Sequence, residues 1–251
     1  MADFKTHIST STVIGIGYGI AGYHFLEIPP STAIVAAGLC GVSGMLPDLD
    51  SDSGVPLRET VTFSAAVVPM LMLDRFQQMG LSNESMVLAA GVVYLTIRFV
   101  IAEIFRRYTV HRGMWHSIPA AISVGLLAFL IVHGEDILLR AFKTTAVVLG
   151  FMVHLLLDEI WSFELRGGRV RIKKSFGTAM KFWGKDSWAN FSTYTKLALL
   201  AALAASDPYM MENYFHRTDA GQFRSAAREW IGERIDQRVG ERLEEASTEL
   251  R

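Results

Sequence analysis

The chain has 251 residues, 51% of them hydrophobic and 20% charged, with a mean hydropathy of +0.28. A formal net charge of -1 and a pI near 6.7 exclude the broad basic face of a nucleic-acid binder, and the single cysteine, Cys40, excludes a disulfide framework or a cysteine-held metal. So apolar a composition points to an all-α, polytopic membrane bundle rather than a soluble domain.

Apolar runs at about 8–26, 31–46, 61–73, 86–102, 118–132 and 141–161, with a weaker one at 194–211, predict a bundle of about six or seven helices. Several runs fall short of the roughly 20 residues that span a bilayer, so short or tilted helices in a locally thinned membrane are expected. The first run follows Lys5 without a small-residue cleavage site and reads as a retained helix. Within it "GYGIAG", residues 17–22, matches the dinucleotide fingerprint G-x-G-x-x-G, but the strand-turn-helix context of that motif is missing. Gly15 and Gly19 read instead as a small-xxx-small face that lets helices approach closely. Three regions follow: a membrane-embedded core over 1–165, a basic aromatic loop with a last helix over 166–211, and a polar amphipathic helical tail over 212–251.

With the six runs as spans and the N-terminus inside, the inner segments carry Lys5, Arg58, Arg106, Arg107 and Arg112, then the basic series from Arg166 to Lys185. The outer segments carry only Arg75, Arg140 and Lys143, near their ends. This is the positive-inside pattern, and it predicts a multi-pass membrane protein with its N-terminus inside. The stretch "RGGRVRIKKSFGTAMKFWGKDSW" suits contact with anionic lipid headgroups.

Four polar constellations lie at span ends. His7 precedes the first run; Asp48, Asp50 and Asp52 in "LPDLDSDSG" follow the second; His111 and His116 in "YTVHRGMWHS" separate the fourth and fifth; His154 and Asp158 in "HLLLDE" close the sixth. The predicted topology brings all four to the inner, cytoplasmic face. His154 and Asp158, four apart, share one face of a helix. His111 and His116, five apart, come together through a turn that Gly113 permits, and Asp48 and Asp50 behind Pro47 form a loop that can present two carboxylates to a cation. Ser117 reads as the N-cap of the fifth helix.

Ionisable groups near a membrane core cost about 2.5–3.5 kcal/mol each, so several together call for compensation, which a divalent ion supplies. Imidazole and carboxylate without thiolate suit Zn, Mn or a similar ion. The expected metal ligands are His7, Asp48, Asp50, His111, His116, His154 and Asp158. An unliganded carboxylate among Asp48, Asp50 and Asp52 can act as general base, and Arg112 can hold a phosphate oxygen. The expected reaction is metal-assisted hydrolysis of a phospholipid or another phosphoester, with membrane lipids as partners and no nucleic acid. The alternative is a non-catalytic protein that binds or transports a divalent cation, which needs ligands along a path across the bilayer. Trp115 suits either a headgroup-level anchor or a pocket wall. His24, His133 and His216 lie away from these segments and read as ordinary polar residues.

Together the four segments resemble the YdjM-like family of membrane-bound, metal-dependent hydrolases. That family's marks are an N-terminal histidine, P-D-x-D, H-R-G-x-x-H-S and H-x-x-x-D. Here they stand as His7, "LPDLDSD", "HRGMWHS" and "HLLLDE", within about residues 1–165. Ser51 and Trp115 occupy positions where the family often has histidine and threonine. The resemblance implies a helical inner-membrane protein with a divalent metal site and a hydrolytic activity, with phospholipid as a candidate substrate.

Overall fold

Asp3 starts the first helix by accepting a hydrogen bond from the Thr6 backbone N–H at 2.9 Å, which satisfies one of the open donors of α1 (Phe4–Phe25). The structure, a computed structural model, describes residues 3–50, 54–104, 113–132, 134, 136–166, 169–172 and 177–211. After α1 come α2 (Pro30–Ser43), a 3-10 turn (Leu46–Asp50), α3 (Gly54–Leu71), the short α4 (Leu73–Gln78) and α5 (Asn83–Leu95), which continues as a π-helical turn (Thr96–Ile101). Then follow α6 (Ile118–Ile131), α7 (Ile137–Ile160), the strands β1 (Phe163–Arg166) and β2 (Arg169–Ile172), and α8 (Ser187–Ala205).

The fold is all-α, as the composition predicts. The two four-residue strands pair antiparallel, from Phe163 opposite Ile172 to Arg166 opposite Arg169, and form the one sheet among the described residues. β1 leads into the basic stretch that reads as a loop in the sequence, and β2 falls inside it. The chain divides into two units, Met1–Ala205 and Ser206–Arg251. The helical pattern expected over 212–251 lies outside the described residues.

Within the first unit α1 packs on α2 and α7, α2 on α7, α6 on α7 and α8, and α3 on α5 and the 3-10 turn. Small residues set these approaches. A Cβ at Gly15 would stand 2.5 Å from the Ala37 carbonyl oxygen, and one at Gly19 2.8 Å from that of Ala33. The "GYGIAG" segment is therefore part of a helix face packed on α2, not a phosphate cradle.

The burial pattern of α1 is inverted relative to a helix in water. It buries His7, Ser11, Gly15, Gly19 and Gly22 and exposes Val13, Ile16, Ile20 and Phe25. Lipid as solvent selects that arrangement, because apolar side chains cost nothing there and polar or small ones make helix contacts. Among the described residues two helices, Asn83–Ile104 and Ile137–Ile160, are long and apolar enough to cross a membrane. The sequence predicts about six spans, yet α2 and α6 have 14 residues each. At ~1.5 Å per residue each rises about 21 Å, short of the roughly 30 Å hydrocarbon layer.

Candidate metal centre

The final turns of α7 carry His154 and Asp158, four residues apart and both buried. Nδ1 of His154 lies 2.7 Å from the carbonyl oxygen of Gly44, just past α2. A carbonyl only accepts, so Nδ1 carries the proton and Nε2 presents a lone pair. That lone pair faces acids: Nε2 is 3.6 Å from Asp48 Oδ1 and 3.9 Å from Asp158 Oδ2.

Two more imidazoles complete the cluster. His7, in the first turns of α1, stacks on His154 with centroids 3.6 Å apart and planes 14° apart, and its Nε2 is 3.4 Å from Asp158 Oδ1. His116 approaches His154 edge-on at 5.7 Å and puts Nε2 3.9 Å from Asp48 Oδ1. The ligand atoms fall into two groups, His7 with His154 and Asp158, and Asp48 with His116 and His154, each within 4.8 Å. His154 belongs to both.

Local sequence explains why these segments meet. Pro47 is buried in the 3-10 turn that carries Asp48, and the Asp48 N–H donates to the Met45 carbonyl at 3.2 Å. The His116 N–H closes a turn onto the Gly113 carbonyl at 3.1 Å, and Ser117 caps α6 by accepting from the Ala120 N–H at 3.3 Å. Trp115 joins the two segments: its Nε1–H donates to the Leu46 carbonyl at 2.8 Å. Gly150, one turn before His154, lies against the Cys40 carbonyl and the Ser43 hydroxyl, so α7 meets α2 closely enough for Gly44 to reach the imidazole.

The donor set fits a divalent cation. Among the described residues His154 Nε2 and both Asp158 carboxylate oxygens are buried with no hydrogen-bond partner, a costly state for polar atoms. Lone pairs of a neutral imidazole and of two carboxylates converge there, and they repel one another until a cation lies between them. Nitrogen and oxygen donors without thiolate suit Zn or Mn.

The structure thus brings together His7, Asp48, His116, His154 and Asp158. Asp50 closes the 3-10 turn, and its side chain, like His111, Arg112 and Asp52, lies outside the described residues. His24 is exposed near the far end of α1, away from the cluster; His133 and His216 also fall outside the described residues. Glu159 has a part that residue spacing does not reveal. Its carboxylate accepts from the backbone N–H groups of Gly177, Ala179 and Met180 at 2.8, 2.9 and 3.1 Å, tying the segment after the hairpin to the neighbour of Asp158. The adjacent acids in "LLLDE" are the only sequence sign of it, since consecutive helix residues point about 100° apart.

A model of the YdjM inner membrane protein family matches residues 1–205. The chain belongs to that family. The match runs beyond the motif-bearing segments, through the hairpin and α8, and ends at the boundary of the first unit. No curated protein and no solved structure matches the chain.

Proposed function

We propose that this member of the inner membrane protein family is a multi-pass, metal-dependent hydrolase that acts on a phospholipid or another phosphoester at the cytoplasmic face. The observation that carries this reading is the Nε2 lone pair of His154, fixed by the Gly44 carbonyl, facing the carboxylates of Asp48 and Asp158 in a buried cluster. One Nε2 lone pair serves one ion, so two groups that share His154 make a single centre. Zn or Mn suits it, with Asp50 and His111 as additional ligands from the same two segments.

His7, Asp48, His116, His154 and Asp158 would hold a divalent ion, which would supply Lewis acidity toward a phosphoryl oxygen and ease the deprotonation of water. The protein holds the rings: Gly44 sets the tautomer of His154, and the stacked His7 limits its rotation. Asp48 is 13% exposed whereas the other four residues are 2% exposed or less, so we assign Asp48 to accept the proton of the attacking water, with Asp50 of the same turn as its neighbour. Arg112 holds a phosphate oxygen. The inverted burial of α1 and the basic inner segments support the multi-pass orientation. A transport path would string ligands across the bilayer, whereas these five form one cluster.

Metal analysis of detergent-purified protein tests the centre, with about one ion per chain expected for the wild type and its loss in His116→Ala and Asp158→Ala. A metal-free wild type, or metal retained in both variants, overturns it. Hydrolysis of a panel of phospholipids and soluble phosphoesters then tests the reaction. A loaded protein that cleaves none of them is a cation binder, not a hydrolase.

A further inference from the structure

We propose that the apolar cavity beside the His/Asp cluster holds one acyl chain of a membrane phospholipid whose headgroup lies at the cluster. The cavity encloses about 330 Å³ between α2, α3, the π-helical turn after α5, α6 and α7. Val61, Val68, Ile97, Ala128 and Val147 are among its walls, which are almost wholly apolar. A cavity so lined stays dry and takes an apolar guest, and its volume lies within the range of about 300–1,000 Å³ common for small-molecule sites.

Two features select a phospholipid chain. First, the cavity and the cluster share chain segments. Leu46 and Leu49 line the cavity on either side of Asp48, and Trp115, which lines it too, precedes His116. The apolar space is therefore lined by immediate chain neighbours of two of the five cluster residues. Second, the cavity reaches the outer surface: Phe63, Ile101 and Leu127 line it while 43%, 36% and 47% exposed. These residues belong to helices whose outward faces are apolar, so a chain enters sideways from the bilayer. An apolar slot that opens to lipid at its side and is lined by chain neighbours of an imidazole and a carboxylate matches an amphiphile with a metal-seeking, phosphate-bearing head. Trp115 is then a wall of this slot as well as the tie between the two ligand-bearing segments.

Only the placement of the headgroup rests on the hydrolase reading, because occupancy of the slot needs no catalysis. The test uses the full chain in vesicles of phosphatidylglycerol and phosphatidylethanolamine containing a trace of phosphatidylglycerol with a diazirine in mid-chain. After irradiation the adducts are mapped by mass spectrometry, with and without chelator. Adducts are expected on Val61 and Val147, which are 4% and 5% exposed and reachable only through the cavity, and on the outward Val87 and Leu88, which surrounding lipid touches. Ala128→Phe, or Val68→Phe should the first not fold, fills the slot. It should lower the Val61 and Val147 adducts by about five-fold or more while those on Val87 and Leu88 persist, since a filled cavity has no room for a chain. Absence of the inner adducts, or inner adducts unchanged in a folded filled variant, overturns the proposal. So does labelling by a diazirine fatty acid where the phospholipid gives none. Hydrolysis without inner adducts breaks the slot and spares the hydrolase; inner adducts without hydrolysis do the reverse.

Discussion

The helices Asn83–Ile104 and Ile137–Ile160 are both long and apolar enough to cross a membrane, yet no residue of the first is buried and 12 of the 24 residues of the second are. The first, α5 with its continuation, exposes Val87, Leu88, Val92 and Leu95; the second, α7, buries Arg140, His154, Asp158 and Glu159. In water the more uniformly apolar helix would occupy the core. Here the helix with the polar residues does, because lipid gives those residues no partner and the bundle does. The chemistry of this protein is concentrated where its hydropathy is interrupted, and α5 serves as a lipid-facing counterpart.

The sharpest way to break that comparison is to remove the polar content of α7. Asp158→Asn keeps the shape and removes the charge, and metal content measured after purification should fall more than about 100-fold, beyond the loss typical of an outer-shell partner. If the variant keeps its metal, the buried carboxylate is a structural residue and α7 loses its functional distinction. Arg140→Met removes a second buried charge of α7. Its Nε–H and Nη2–H groups donate to the carbonyls of Val132 and Phe129, both at 3.1 Å, at the end of α6, and its guanidinium lies 4.1 Å from the Phe129 ring centroid. Leaving those carbonyls open should cost about 3 kcal/mol in denaturant titrations in detergent, with metal content unchanged in the folded fraction.

Glycines test the same contrast through packing. Gly150 of α7 has the Cys40 carbonyl and the Ser43 hydroxyl where a Cβ would go, while Gly91 of α5 has nothing within 4 Å. Gly150→Leu should destabilise by about 2 kcal/mol, as overpacking of a close contact does. Gly91→Leu should leave stability unchanged or raise it by up to about 1 kcal/mol through helix propensity. Equal losses in thermal melts would mean that Gly91 lies on a packed face of α5.

How far the site was legible follows from the same division. The i, i+4 spacing of His154 and Asp158 and the capping position of Ser117 are local, and helix periodicity places them without knowledge of the fold. That His7, Asp48 and His116 come together with them was expected from counting six alternating spans; the structure brings these residues together, while two helices among the described residues are long and apolar enough to cross a membrane. The Gly44 carbonyl that orients His154, and the three backbone N–H groups on Glu159, were not legible. Those partners are main-chain atoms, which every residue has, and only the packing of distant segments decides which of them arrive. The cavity was hidden for a related reason: its walls come from segments spread along the chain, most of which read as ordinary apolar sequence.

The smallest effect compares two equal caps. Ser82 starts α5 and accepts from the Ser85 N–H at 3.3 Å; Ser117 starts α6 and accepts from the Ala120 N–H at 3.3 Å. The bond is the same, but Ser82 is exposed and Ser117 is fully buried, where its hydroxyl also donates to the Met114 carbonyl at 2.5 Å. When Ser82 becomes alanine, water takes over the freed N–H, so the loss should be about 0.5 kcal/mol. When Ser117 becomes alanine, no water reaches the freed N–H or the Met114 carbonyl, so the loss should approach about 2 kcal/mol. Ser117 also follows His116 directly, so the frayed first turn of α6 should loosen the imidazole and lower metal affinity, an effect Ser82→Ala cannot have. Equal stability changes would show that burial does not distinguish the two helix starts. A Ser117→Ala variant with full metal affinity would show that His116 is held from Gly113 and Trp115 rather than from the helix it precedes.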